Sequence, residues 1–352
     1  KYGSIRNYID ELTIILPSGE KVVIKRGEYK ADEDDCFDVQ LASKRRKIKL
    51  PSYYSPGVKN TAGLFVKKEM DLIDLFIGSE GILGIICEAR LKLLKKPEKM
   101  MAGFIFFKDK EECLELVQHI KAVSKKVRDF GDEGDIDPMS LEYFDVNSLA
   151  LLKEQFPTIP DYAKACIFFE QGFNKQDEEI LLLAWTRLIE GNEIPLEDTW
   201  FADNDRDILY YNEIRHALPV RLNELISQSG FRKISADIAV PGINFSDMLD
   251  FYEDILLDSE LKFVIFGHIG DNHLHVNIIP STEDEFNKAL IFYDRFIDKA
   301  LELEGTISAE HGIGKLKKSY LEKMIKQQGL AQIKAVKKIF DPEMILNPGD
   351  MI

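Results

Sequence analysis

Between residues 102 and 279 the apolar residues keep changing period, and that alternation constrains the fold more than any other feature of the chain. Stretches 102–107, 163–170, 235–240, 263–266 and 273–279 are short and apolar, with Gly, Pro, Asn or Asp near their ends, which reads as strands. Between them, 109–127, 176–190, 205–229 and 245–257 read as helices. Asp109 with Glu112 three residues on is helix-start chemistry. Pro219 inside 205–229 should kink or split that helix, because proline lacks the N–H and crowds the preceding turn. Strands and helices mixed in this way predict one sheet covered by helices, an α+β domain over about 99–280.

The flanks read differently. Residues 8–16 and 21–25 form a predicted hairpin around Pro17-Ser18-Gly19, while 29–50 are charged and show no usable pattern. Residues 72–94 alternate apolar runs with glycines around Gly78, Gly81 and Gly84. Residues 129–138 are rich in Asp and Gly, end in Pro138 and read as a loop. The tail predicts helices over 281–304, 316–327 and 330–340, and turns at Asp341-Pro342 and 346–349.

Composition excludes several classes. No apolar run approaches the ~20 residues of a membrane span. Lys+Arg 46 against Asp+Glu 61 gives a net charge of −15, which argues against a general nucleic-acid binder and leaves room only for a local cationic pocket. Cys36, Cys87, Cys113 and Cys166 form no CxxC pair. They read as reduced structural thiols of a cytoplasmic protein, not as zinc or iron–sulfur ligands. The chain opens on Lys1 and shows no signal-peptide pattern, which leads us to expect a truncated or processed chain.

The residues with the most chemistry lie in Gly267-His268-Ile269-Gly270-Asp271-Asn272-His273-Leu274-His275-Val276-Asn277, which holds three of the six histidines. Strand period two places His273, His275 and Asn277 on one face. The Gly270-Asp271-Asn272 turn can fold His268 back toward His275. Two neutral imidazoles so placed suit a divalent metal, and Glu310 in Glu310-His311-Gly312-Ile313-Gly314 is the best third ligand. Two His and one Glu with open positions is a catalytic shell. The bland alternative is histidines satisfied as polar groups in a core or interface. Gly78 to Gly84 lets backbone N–H groups approach an anionic cofactor, though it is neither a P-loop nor a dinucleotide fingerprint. Arg215 and Arg221 can fork onto a carboxylate or sit solvated. Lys315, Lys317 and Lys318 read as an ordinary charged helix face.

These motifs together resemble the flavin-linked 2-hydroxy-acid dehydrogenases and oxidases of the vanillyl-alcohol-oxidase/PCMH-type FAD superfamily. The match runs through Lys1 to Tyr8 with Leu16-Pro17-Ser18-Gly19, Asp74 to Ile86, a weaker echo over Pro138 to Phe144, Asp237 to Pro241, Gly267 to Asn277, Glu310 to Gly314 and Leu346 to Gly349. The resemblance implies 1–98 as the C-terminal part of a PCMH-type FAD-binding domain, 99–280 as a substrate or cap domain with a mostly antiparallel sheet, and 281–352 as a helical segment returning to the flavin site. It implies FAD bound near Gly78, Ser79, Glu80, Gly81, Gly84, Ile85 and Asn347. It implies zinc, manganese or iron on His268, His275 and Glu310, with Asn277 at the substrate, His311 as base and Arg215 on the substrate carboxylate. The expected reaction oxidises a D-2-hydroxy acid of the lactate, glycolate or 2-hydroxyglutarate class, with hydride to flavin N5. The electron acceptor stays open among quinone, cytochrome, electron-transferring flavoprotein and oxygen, and the assembly between homodimer and hetero-subunit.

The sequence departs from that pattern in three places. The pyrophosphate-wrapping segments expected upstream of Tyr2-Gly3-Ser4 are absent, so a fragment, or a partner supplying them, is expected. His273 is an additional histidine beside the presumed ligands. Ser235 stands where some members carry a lysine, which weakens the case for a dicarboxylic substrate. Two other readings stay open: a catalytically incomplete or regulatory subunit that pairs with a fuller flavoprotein, and a metal-dependent hydrolase.

Overall fold

Residues 1–41, 43–131 and 135–352 are described by a computed structural model. The predicted loop 129–138 falls partly on 132–134, outside the described residues. The chain divides into two units. A terminal unit comprises 3–94, 237–241 and 299–352; a central unit comprises 1–2, 95–236 and 242–298.

In the terminal unit β1 (Ile9–Ile15) pairs antiparallel with β2 (Lys21–Lys25), the predicted hairpin. The patternless stretch 29–50 contains a second hairpin, β3 (Cys36–Leu41) and β4 (Lys44–Lys49). Its strands escape a sequence reading because β4 is almost wholly cationic, with only Ile48 buried. β5 (Ile85–Leu91) completes the order β2-β1-β5. Gly84 enters it against β1, where a Cβ would lie 2.5 Å from Ile14 Cγ2. The tail helix Lys318–Phe340 breaks at Lys326, where φ is 63°, so the two predicted helices are two segments on either side of that break. Phe340 meets Phe76 edge to face at 5.1 Å, and Arg26 forks onto Asp74 at 2.9 and 3.1 Å.

The central unit is built on the predicted sheet. Its strands are β6 (Lys99–Phe107), β7 (Ser140–Asp145), β8 (Ala165–Phe173), β9 (Thr199–Ala202), β10 (Ile234–Ala239), β11 (Phe263–Gly267) and β12 (His273–Ile278), in the order β10-β12-β11-β7-β8-β6-β9. The chain passes from the central to the terminal unit within β10. The β6–β8, β6–β9, β7–β8, β7–β11 and β11–β12 pairs are all antiparallel. β7, β9 and the helix Val146–Lys153 were not anticipated. β7 looks polar in sequence because it carries Glu142 and Asp145, yet both side chains are buried.

One face of the sheet is aromatic. Phe104, Phe106, Phe144 and Phe168 pack with Leu149, Ile214 and Leu218 from two helices. On the opposite face Trp185, from the helix Glu178–Gly191, stacks on Phe169 at 4.0 Å. The helix Asp205–Ser229 runs on through Pro219, so of the expected kink or split the split does not occur. Ile214, Leu218 and Leu222 bury the helix on both sides of the proline. Pro219 itself is exposed, and the carbonyl it strands is that of Arg215, a half-buried residue. The helix Lys110–Phe130 begins as predicted, with Asp109 accepting from Glu112 N. Among the described residues no helix is long and apolar enough to cross a membrane.

Candidate active site

The histidine cluster of the central unit follows from strand register. Phe266 opposes Phe144, and Gly267 opposes Tyr143. The next step of that antiparallel register brings His268 to Glu142. On the other side Phe266 opposes His275. Cross-strand partners share a face, so Glu142, His268 and His275 project together. Asn272 supplies the left-handed turn residue, with φ 54°, that reverses the chain between the two histidines. Asn tolerates that region better than most residues.

The rings then meet. His268 and His275 are 5.8 Å apart between centroids, His268 and His273 5.6 Å, and His273 and His275 4.5 Å. Each offers a ring nitrogen within 4.8 Å of the other two. His273, the additional histidine, is fully buried. Asn277 lies two residues past His275 on the same face and is buried, its Nδ2 3.4 Å from the His275 carbonyl.

Glu142 organises this cluster, and the sequence reading passed over it as part of a weak echo. Its Oε1 accepts from Arg215 Nη2 at 2.6 Å and lies 3.0 Å from His268 Nδ1. Burial pushes the carboxyl up, but the His268 hydrogen bond and the charges of His268 and Arg215 outweigh it and hold the carboxyl at about 2. An ionised carboxylate only accepts, so His268 Nδ1 must carry the proton. In the neutral ring that leaves Nε2 as a lone pair, the form a metal requires. Arg215 is thus committed to Glu142 through one nitrogen, and its Nη1 lies 3.2 Å from His216 Nε2. Arg221 pairs with Glu154 and Glu224 at the surface.

Arg215, Glu142 and His268 line a cavity of about 440 Å³ together with Lys121, Arg128 and Asp271. Lys121 is held below the usual lysine range by burial, against the pull of Asp271.

In the terminal unit the predicted base and carboxylate ligand share one loop. Residues 237–241 run beside it: Thr306 N donates to Ala239 O at 2.9 Å and Ala309 N to Asp237 O at 2.8 Å. Asp237 is buried and accepts from Ser308 Oγ at 2.8 Å, His311 N at 2.9 Å and Lys317 Nζ at 3.0 Å. Lys317 is therefore no ordinary surface lysine; it is the counter-charge of a buried carboxylate. Glu310 is paired with Lys59. The His311 side chain is more than half exposed, with Nδ1 3.6 Å from Asp237 Oδ2.

The presumed flavin segment also lies in the terminal unit. Gly78 and Gly81 have positive φ, +80° and +73°. Asn347 Nδ2 donates to Glu80 O, so the structure brings Asn347 to the glycine-rich turn. Ser79 is buried and Ile85 exposed. The donor sets fit the groups expected of them: converging imidazoles for a metal, and the positive-φ glycine turn at Gly78 and Gly81 for an anionic cofactor.

Known proteins share this architecture. Over 98% of the chain and 65% of the other, it superposes on p-cresol methylhydroxylase with substrate bound, with a TM-score of 0.64 and 11% identity. The chain belongs to the family described as FAD linked oxidases, C-terminal domain, which matches residues 97–351. It is 29% identical to the glycolate oxidase subunit GlcD of Bacillus subtilis, over 100% of this chain and 64% of that protein. It is 28% identical to D-lactate dehydrogenase of Anaerostipes hadrus, over 99% of this chain and 65% of that protein. The chain thus spans just under two thirds of the length of these relatives.

Proposed function

We propose that this chain carries the substrate-binding part of an FAD-linked dehydrogenase or oxidase of D-2-hydroxy acids, assisted by a divalent metal. The observation that carries the reading is the 3.0 Å approach of His268 Nδ1 to Glu142 Oε1 within a cluster of three imidazoles. Imidazoles whose ring nitrogens converge within 4.8 Å can serve together as ligands of an ion. Family membership and the activities printed in the names of the relatives support the flavin half.

His268 and His275 would hold the ion, which polarises the substrate 2-hydroxyl and lowers its pKa. Glu310 is the third ligand in the sequence reading. Asn277 would contact the substrate beside His275. The guanidinium edge of Arg215 not used by Glu142 would orient the substrate carboxylate. His311, exposed on its loop, is the base in the sequence reading. The flavin, when bound near Gly78–Gly84 and Asn347, supplies the hydride acceptor.

Two measurements test this. Metal content after dialysis without chelator should be about one zinc, manganese or iron per chain. Flavin bleaching on addition of D-lactate, glycolate or D-2-hydroxyglutarate should follow in the FAD-loaded protein. A chain that takes up no ion even after reloading sinks the metal assignment. Bleaching without any ion leaves a flavin-only oxidase.

A further inference from the structure

The loop 310–314 has an unusual hydrogen-bond account. Five successive backbone N–H groups point to side chains, and three residues receive them all. Glu310 N and His311 N donate to Asp237 at 3.1 and 2.9 Å. Gly312 N donates to Thr61 Oγ1 at 3.2 Å. Ile313 N and Gly314 N donate to the two oxygens of Glu80 at 2.7 and 2.8 Å. A run of amides turned one way ordinarily forms an anion-binding concavity. Here the anions are built in.

Glu80 belongs to the glycine-rich turn, and the sequence reading placed it among the flavin contacts. Its carboxylate is spent elsewhere. Both oxygens are taken by the loop that carries His311, while its carbonyl accepts from Asn347. Gly312 is shaped to this contact. With φ +72°, it would put a Cβ 2.6 Å from Glu80 Oε1. Only glycine combines that backbone with that approach. The other half of the loop is fixed through Asp237, itself held by Ser308 and Lys317. His311 therefore has an exposed ring on a backbone fixed from both sides.

We infer that Glu80 and Asp237 are positioning residues for His311, clamping residues 310–314 so that the glycine-rich turn and the histidine loop move as one body. The consequence for chemistry rests on the reading of His311 as base. A base must hold its place within fractions of an ångström, and backbone drift costs rate more than affinity.

The test is hydrogen exchange and rapid flavin reduction on the FAD-loaded protein and its Glu80→Gln, Glu80→Ala and Thr61→Val variants. In Glu80→Ala, exchange at 313–314 should accelerate about tenfold or more, since two charge-assisted bonds are lost. The flavin-reduction rate should drop about 10- to 100-fold with substrate affinity within about threefold, as for lost positioning. Glu80→Gln keeps one acceptor and should fall between. Thr61→Val frees Gly312 N and removes the Oγ1 donor to Ser308 O, leaves both Glu80 bonds in place, and keeps the inference testable should Glu80→Ala fail to fold. Parent exchange and parent reduction rates in Glu80→Ala overturn the clamp. Loss of FAD with unchanged exchange also overturns it, because Glu80 would then be a cofactor contact. His311→Ala reducing flavin at the parent rate removes the base reading itself, a different failure that leaves the exchange result standing.

Discussion

His268 Nδ1 lies 3.0 Å from Glu142 Oε1, one strand step beyond the paired residues Gly267 and Tyr143. Carboxylates that orient a ligand imidazole in this way typically change metal affinity 10- to 100-fold when removed. Glu142→Gln should therefore weaken metal binding by about that factor, because the amide no longer dictates which ring nitrogen is protonated. Competition with a chromophoric chelator reads the affinity directly. Binding as tight as the parent's would show that His268 needs no orienting partner.

His275 and His273 should separate in a parallel pair of variants. His275 is partly exposed and His273 fully buried. His275→Ala should lose the ion while costing little stability. His273→Ala removes a buried ring and should also destabilise the fold, by about 2–4 kcal/mol on the scale of large-to-small core substitutions. Metal analysis beside denaturant melts distinguishes them. Full metal retention in His275→Ala strikes it from the ligands.

How much of this was legible beforehand depends on whether a residue's role is local. The helix at Asp109, the hairpin at Pro17-Ser18-Gly19 and the His268/His275 approach are set by neighbours in sequence, and each was readable. Glu142 was not, because its meaning comes from the register of β7 against β11, over 100 residues away in the chain. Lys317 was misread for the same reason: a lysine near other lysines looks solvated until Asp237 is placed against it. Hairpin β3–β4 was invisible because its pairing, not its pattern, makes it a sheet. Arg215 stands out in the sequence as a carboxylate-binding candidate, but Glu142, which the structure pairs with it, does not.

Lys317 leads to a stability prediction. Its side chain is only 14% exposed, and its Nζ touches both Asp237 Oδ2 and Ser308 Oγ. Removing one partner of a buried ion pair leaves the other charge uncompensated, at a cost of about 3–5 kcal/mol. Lys317→Met should lower the unfolding free energy by that much, read from denaturant melts. The double variant Lys317→Met, Asp237→Asn should recover part of the loss. A single variant within about 0.5 kcal/mol of the parent, as for an ordinary surface change, would return Lys317 to the solvated class.

Asp145 gives the clearest pH dependence. It ends β7, caps the helix Val146–Lys153 by accepting from Ser148 N at 2.8 Å, and is buried. Burial lifts its carboxyl from 3.8 to about 7, against the pull of the Ser148 hydrogen bonds. The folded state therefore binds the proton more tightly than the unfolded chain. Stability supplied by the protonated form is complete below pH 3.8 and is lost as pH rises toward 7. The span corresponds to on the order of 4 kcal/mol as an upper bound. Asparagine keeps the acceptor that caps the helix and carries no charge to bury. Asp145→Asn should match the parent near pH 4, become progressively more stable relative to it up to pH 7, and hold a constant advantage above. Denaturant titrations of both proteins at several pH values give the difference curve. A flat difference across that window would mean that Asp145 titrates alike in the folded and unfolded chain.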